Sequence, residues 1–400
     1  MNNILIIGAI DRFNYGDLLF PHIIEKEIKK YIKNEVKFDY YGLIESNLEN
    51  SGGKSTKSLK QFYHDLNNKQ NVTVIVAGGE VLTPDWAVLN AYLNKKYKLI
   101  YDIIIKLKSF IPYSRRLINS LAMKQLGGKT KFPFIIEPEN FNPGVKIIYN
   151  AVGGYNISRL ERKELLNSLP KYTYFSVRDG KAYAYFLEKN LNNVELKPDS
   201  AILLSDHYPI QELKELASKE VQELINSYSN GYLVFQVAYY KFLQNKADII
   251  NLLDNIYKKY HLPIVLCPIG TAIGHEDNRA ANQIGELIKA EHYISRFENI
   301  WDIMLLIASS KFFIGTSLHG AITAMTYNVP YICVDKKQLK LHGYLETWAP
   351  EILNKTRDFS EVLDSMDKVF SIPKEILNEN KNYQIKLAKE SFQKIISKIQ

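Results

Sequence analysis

The sequence predicts an α/β protein built from two Rossmann-like domains facing a cleft. Three observations carry that expectation. Short apolar runs rich in Ile and Val alternate with longer amphipathic segments, the pattern of buried parallel strands joined by helical crossovers. The alternation runs once to about residue 205 and starts afresh after residue 230. The chain has 400 residues and is 46% hydrophobic, enough for more than one buried core.

Residues 3–8 (NILIIG) read as the first buried strand. Residues 18–33 read as the first helix: Leu18, Leu19, Ile23, Ile24, Ile28 and Ile32 recur at helical spacing, with Pro21 accommodated in the first turn. Residues 36–41 and 72–77 (VTVIVA) read as strands, and 86–126 as helices interrupted near Pro112. Strands at 145–152 and 172–177 and a helix at 180–189 complete the first series, the domain expected over 1–205. Residues 206–230 are polar and helix-like, end in Ser-Asn-Gly, and read as a linker. The second domain, 231–375, has strands at 232–237, 263–267, 311–314 and 330–334. Its helices fall at 246–260, 277–290, 300–309 and 318–327. Residues 376–400 read as a closing amphipathic helix. In such folds ligands bind beyond the carboxyl ends of the strands, which places a site between the two domains.

A net charge of +8 fits a soluble basic protein or one that attracts a phosphorylated metabolite, a nucleotide or an acidic membrane. No helix-turn-helix, zinc-finger or aromatic RNA-binding pattern stands out, so nucleic acid is not an expected partner. Cys267 and Cys333 sit in apolar runs as core residues, which suits a reducing compartment. The N-terminus has no basic n-region before its short apolar run, and no apolar stretch is long enough to cross a bilayer. A cytoplasmic location is expected.

Six strand-end loops are candidates for the site. Asn14, Gly16 and Asp17 lie in the first, where helix-start amides suit an anion and Asp17 is an alternative cap. Gly78, Gly79 and Glu80 follow the third strand, and Gly153 follows the next; a glycine there lets backbone approach a ligand closely. Arg178 stands where a strand meets a helix, placed to fork onto a carboxylate or phosphate or to pair structurally, with Asp179 as cap. His275, Glu276 and Asp277 share a loop with two glycines; adjacent residues rarely converge on one ion, so no metal is expected and Asp277 reads as a cap or substrate ligand. The sixth, Thr316-Ser317-Leu318-His319-Gly320, joins a strand to a helix of small side chains. Close packing there turns the amides and hydroxyls of Thr316 and Ser317 to the cleft, with His319 in the first turn.

One further feature is compositional. Residues 95–131 carry ten basic side chains (Lys95, Lys96, Lys98, Lys106, Lys108, Arg115, Arg116, Lys124, Lys129 and Lys131) against one acidic, Asp102. Tyr92, Tyr97, Tyr101, Phe110 and Tyr113 are interleaved. The pattern fits a solvated helix face or a surface that touches an anionic membrane or lipid diphosphate.

From the NYGD loop at 14–17 to about residue 335, the chain resembles the polysaccharide pyruvyl transferase family. The resemblance rests on NYGD, VIVAGGEVL, NAVGG, SVRD followed by PDSAILL, PIGTAIGHED and GTSLHGAITAMTYNVPYICVD, in that order. It implies a GT-B-like fold and transfer of a pyruvyl unit from phosphoenolpyruvate to hydroxyls of a surface polysaccharide or its lipid-linked precursor, without a further cofactor. The implied product is a pyruvate ketal. It implies His319 as general acid/base and Arg178 as donor anchor. Thr316, Ser317, Leu318 and Gly320 shape the donor pocket. Asn14, Gly16, Asp17, Gly78, Gly79, Glu80, Gly153 and His275 fall on the acceptor side or in the cleft. Many members have an arginine two residues before the histidine. This chain has Ser317 there, which leaves the donor anion to Arg178, Arg279, Lys336 or Lys337, or implies another donor. Two other readings share the fold or the setting: a GT-B glycosyltransferase using a nucleotide sugar, and a non-catalytic polysaccharide-assembly protein.

Overall fold

The structure, a computed structural model, describes residues 2–33, 35–106, 114–142, 144–160 and 162–400. Its strands, in chain order, are β1 (Asn2–Ile7), β2 (Val36–Tyr41), β3 (Ser46–Asn47), β4 (Ser55–Thr56), β5 (Val72–Val76), β6 (Lys146–Val152), β7 (Tyr174–Val177), β8 (Val194–Leu196), β9 (Leu233–Gln236), β10 (Ile264–Leu266), β11 (His292–Ile294), β12 (Phe312–Gly315) and β13 (Tyr331–Cys333). Two parallel sheets result, ordered β2-β1-β5-β6-β7-β8 and β11-β10-β9-β12-β13, with β3 and β4 forming a small antiparallel ribbon. In each larger sheet the chain first builds to one side (β1 to β2; β9 to β10 and β11) and then reverses to the other, so each has a switch point where loops diverge and leave a crevice.

The central strands are apolar on both faces because helices cover both. Ile4 and Ile6 pack under the helix Tyr15–Tyr31, while Leu5 and Ile7 enter a second cluster with Phe62 and Trp86 on the opposite face. The first cluster continues into the second sheet through Leu233, Ile314 and Ile322. The two sheets therefore share buried packing.

Several expectations change. Pro21 lies beyond the first turn, since the helix already starts at Tyr15. Edge strands β8 and β11 escaped the pattern because each is three residues long and mostly half-buried, too short to show a period. Residues 206–230, read as a helix-like linker, are packed helices: Ile210–Leu216 and Lys219–Ser227 pack on the helix Ile300–Ala308, with Leu213 and Val221 buried and Ser218 N donating to Asp302 Oδ1 at 2.7 Å. The interruption near Pro112, with Lys108, Phe110 and Tyr113, falls outside the described residues.

The closing helix, Lys374–Ile399, returns to the first sheet. Its Ser391 Oγ lies 2.9 Å from the Tyr174 hydroxyl, and Lys394 pairs with Glu195 at 2.7 Å. Across the cleft floor, Tyr15 N donates to Ile269 O at 3.2 Å and Asn14 bridges to Gly270. Trp348 Nε1 donates to Arg178 O at 2.7 Å on the far side. These ties hold the loops of one sheet against those of the other.

Candidate functional site

Between the carboxyl ends of the two sheets lies a cleft of about 460 Å³. Its wall includes Asn14, Asp17, Glu80, Arg178, His275, Thr316, Ser317, Leu318 and His319, so most of the sequence-derived candidates converge there. Gly16, Gly78, Gly79, Gly153 and Gly320 do not line it.

The glycines explain themselves from behind the wall. A β-carbon on Gly16 would sit 1.7 Å from His319 Nδ1. One on Gly79 would meet Asp17 Oδ1 at 2.9 Å, and one on Gly153 would meet Glu80 Oε2 at 2.6 Å and Arg178 Nη2 at 2.8 Å. Gly78, at φ 102°, faces the Phe20 ring, and Gly320 faces Phe313. The expectation that these residues admit ligand gives way to a different one: they make room for the side chains that form the wall. Small residues were the right signal, because only a missing side chain permits that approach.

His319 is placed by several independent constraints. It opens the helix Leu318–Thr326, which Ser317 caps by accepting from Gly320 N at 3.2 Å. Thr323 Oγ1 donates to the carbonyl of His319 at 2.8 Å and meets the Tyr15 hydroxyl at 2.8 Å. Phe20 packs edge-on against the imidazole at 5.4 Å. Of the two ring nitrogens, Nε2 is fully buried and lies 3.6 Å from Asp199 Oδ2. Nδ1 is packed against Gly16, and the imidazole lines the cleft.

Asp199 is the residue the sequence reading passed over. It sits in Pro-Asp-Ser-Ala within the PDSAILL run and looks there like a turn residue. In the fold it is completely buried. Arg178 Nη1 donates to its Oδ2 at 2.6 Å, and Ala201 N donates to Oδ1 at 2.9 Å. Burial alone would raise this carboxyl, but His319 and the Arg178 guanidinium hold it down to about 2. It stays a carboxylate between a cation and an imidazole. No local pattern marks this aspartate as the buried partner of a cation and an imidazole; its place in the PDSAILL run, which the resemblance includes after SVRD, was the available clue.

Arg178 is itself buried, and its second amine lies 3.7 Å from Glu80 Oε2. Asp179 caps the following helix as expected, accepting from Ala182 N at 2.8 Å. Asp17 does not cap its helix; it accepts from Asn14 Nδ2 at 2.7 Å.

The other half of the wall centres on Gln236. Its Oε1 accepts from Thr316 N at 3.0 Å and from Thr316 Oγ1 at 3.3 Å, and its Nε2 donates to Asp277 Oδ2 at 2.7 Å. The Thr316 amide and hydroxyl are thus spent internally rather than offered to a ligand, while the Ser317 hydroxyl oxygen accepts from Gly320 N. Asp277 is not the helix cap; Glu276 takes that position at φ 50°. Asp277 instead ties its loop together, accepting from Ile269 N and Gly270 N at 3.1 Å each. Burial pushes its carboxyl up to about 6. His275 is driven the other way, to about 4, by burial and by the charge of Lys340. It therefore stands neutral at pH 7.

Among the cations named as substitutes for an arginine at 317, Arg279 pairs with Glu276, and Lys336 pairs with Asp358 and Glu361. Neither they nor Lys337 line the cleft. Arg12 and Lys340 do, and the sequence reading did not select them.

Comparison with known proteins agrees with this architecture. The family model described as polysaccharide pyruvyl transferase matches residues 14–337. No curated protein matches the chain. Among solved structures, S. aureus MnaA in a UDP co-structure is similar at a TM-score of 0.55 and 10% identity, covering 94% of this chain and 91% of its own. UDP-N-acetylglucosamine 2-epimerase from Rickettsia bellii gives 0.54 and 13%, covering 100% and 97%. The Methanocaldococcus jannaschii UDP-GlcNAc 2-epimerase, in complex with UDP-GlcNAc and UDP, gives 0.51 and 11%, covering 94% of each chain. At these identities the likeness shows a shared two-domain, GT-B-like fold and no more.

Proposed function

Because this chain belongs to the polysaccharide pyruvyl transferase family, we propose that its cleft moves the pyruvyl unit of phosphoenolpyruvate to two hydroxyls of a sugar, forming a cyclic ketal. Atoms balance simply. The enol carbon loses its bond to the phosphate oxygen and gains two bonds to sugar oxygens. Of the two hydroxyl protons, one ends on the methylene carbon, which becomes the ketal methyl group. The other leaves with inorganic phosphate.

The observation that supports this reading is the Asp199–His319 pair at the cleft wall. Proton transfer needs an ionisable group held in place by a partner of fixed charge. Asp199, held ionised, lies 3.6 Å from Nε2 and orients the imidazole, which lines the cleft and exchanges protons with hydroxyl or methylene. Arg178 neutralises Asp199 and edges the cleft, where its remaining N–H groups suit the donor carboxylate. Asn14, Asp17 and Glu80, which follow strands of the same sheet as Arg178, suit sugar hydroxyls. The test is mass spectrometry of a saccharide acceptor incubated with phosphoenolpyruvate, with His319→Ala beside the native protein. Pyruvate addition by the native chain alone is expected. Addition by both chains removes His319 from the chemistry, and addition by neither removes phosphoenolpyruvate as donor.

We place a lipid-linked acceptor at an anionic membrane face. The helices Lys95–Lys106 and Ser114–Leu126 expose Leu99, Ile100, Ile103, Leu117 and Leu121 beside Lys95, Lys96, Lys106 and Lys124. Both pack on the helix Trp86–Leu93, whose Val88, Leu89 and Tyr92 line the cleft. An apolar stripe flanked by cations lies well in a headgroup layer. No helix among the described residues is long and apolar enough to cross a membrane. Flotation with phosphatidylglycerol vesicles tests this; binding that survives Leu99→Asp with Ile103→Asp refutes it.

A further inference from the structure

A donor with both a carboxylate and a phosphate needs more positive charge than Arg178 supplies. Its guanidinium is already engaged by Asp199 at 2.6 Å, with Glu80 at 3.7 Å. The other cations on the cleft wall are Arg12, Arg115 and Lys340. Arg115 is tied to Asp85 at 2.9 Å. Arg12 touches Asp11 Oδ1 at 2.9 Å through one amine, while the other Asp11 oxygen accepts from Leu43 N at 2.6 Å and Ile44 N at 3.2 Å. Asp11 therefore spends part of its charge on backbone amides, and most of the Arg12 fork stays unspent. Lys340 pairs with no carboxylate among the described residues.

Arg12 and Lys340 belong to opposite walls. Arg12 follows β1; Lys340 starts the helix Leu339–Trp348 after β13. Asn14, two residues after Arg12, bridges to Gly270, beside which His275 packs, and Arg12, Lys340 and His275 all line the cleft. The charges of Lys340, Arg12 and the buried Lys241 weigh on the imidazole, and Asp17 counters them. This corner is the cationic part of a wall that elsewhere carries Glu80, Asp85 and Asp277.

We propose that Lys340 and Arg12 together hold the phosphate of the donor beside His275, one from each side of the cleft. Lys340 acts as a compact point charge and Arg12 as a planar fork. The proposal rests on phosphoenolpyruvate being the donor. It assigns the role of an arginine at position 317 to two residues remote from that position in sequence, and it makes donor binding a step that draws both domains onto one anion.

The test uses the full chain and isothermal titration with phosphoenolpyruvate, inorganic phosphate and pyruvate. Lys340→Met and Arg12→Met are each expected to weaken phosphoenolpyruvate and phosphate at least tenfold, and Lys340→Arg to restore binding to within threefold. Pyruvate, which lacks the phosphate, is expected to bind all variants alike. In turnover, the Met variants raise KM for the donor and leave kcat within a few fold. Lys340 is exposed, so its replacement does not threaten folding. If the native chain binds phosphoenolpyruvate and Lys340→Met binds it equally well, the phosphate site is wrong and the donor reading stands. If the native chain binds neither phosphoenolpyruvate nor phosphate, both are wrong.

Discussion

Gly16→Ala separates the position of His319 from the stability of the fold. Gly16 is in the first turn of its helix and does not have a positive φ, so the backbone itself accepts alanine. The new methyl would lie 1.7 Å from His319 Nδ1. Unstrained heavy-atom contacts lie at about 3.5–4 Å, so the ring must retreat by about 2 Å or the helix start must move. Overpacking of this kind costs about 1–3 kcal/mol, offset by up to about 1 kcal/mol for replacing glycine in a helix. The net loss of about 0–2 kcal/mol leaves the chain folded. A 1 Å misplacement of a reacting group can cost about 100-fold in rate, so kcat is expected to fall by at least that factor. Thermal melting and turnover of one preparation give both numbers. A variant that retains kcat within threefold would refute the claim that the imidazole must occupy this space.

Other perturbations probe the buried charges. Asp199→Asn strips Arg178 of its counter-ion and His319 of its orienting partner; we expect about 3–5 kcal/mol of destabilisation in denaturant titration, with kcat reduced far more than KM. The Asp199 carboxyl is depressed to about 2, so its contribution is present above about pH 4 and disappears as pH falls through 2. The native chain should therefore lose about 2 kcal/mol more than Asp199→Asn between pH 4 and pH 2. Asp277 has the opposite sign: its carboxyl is raised to about 6, so folding favours the protonated form and stability falls as pH rises through 6. Asp277→Asn keeps the shape and removes that charge, so its stability relative to the native chain should improve by up to about 3 kcal/mol between pH 4 and pH 8. Gly153→Ala should push Glu80 and Arg178 apart and raise KM for the donor with little change in melting temperature, because a β-carbon there meets both side chains within 3 Å.

The chain itself determined the class of fold and the order of the loops. Fully apolar runs such as Ile4–Ile7 can be stable only when covered on both faces, and the helical periods between them supply the cover. Strand-end position alone brought Asn14, Glu80, Arg178, His275 and His319 forward, and all five line one cleft. Local chemistry also carried Asp179 as a cap, because a cap depends on neighbours within four residues. Long-range partners were not readable. The buried state of Asp199 depends on Arg178, 21 residues before it, and on His319, more than a hundred residues beyond it, and the meaning of Gly16 depends on an imidazole some three hundred residues away. Arg12 and Lys340 look like ordinary surface cations until the two sheets bring them to one corner. Tertiary structure decided those roles because burial, close approach and charge pairing depend on distance in space, which a linear pattern records only for near neighbours.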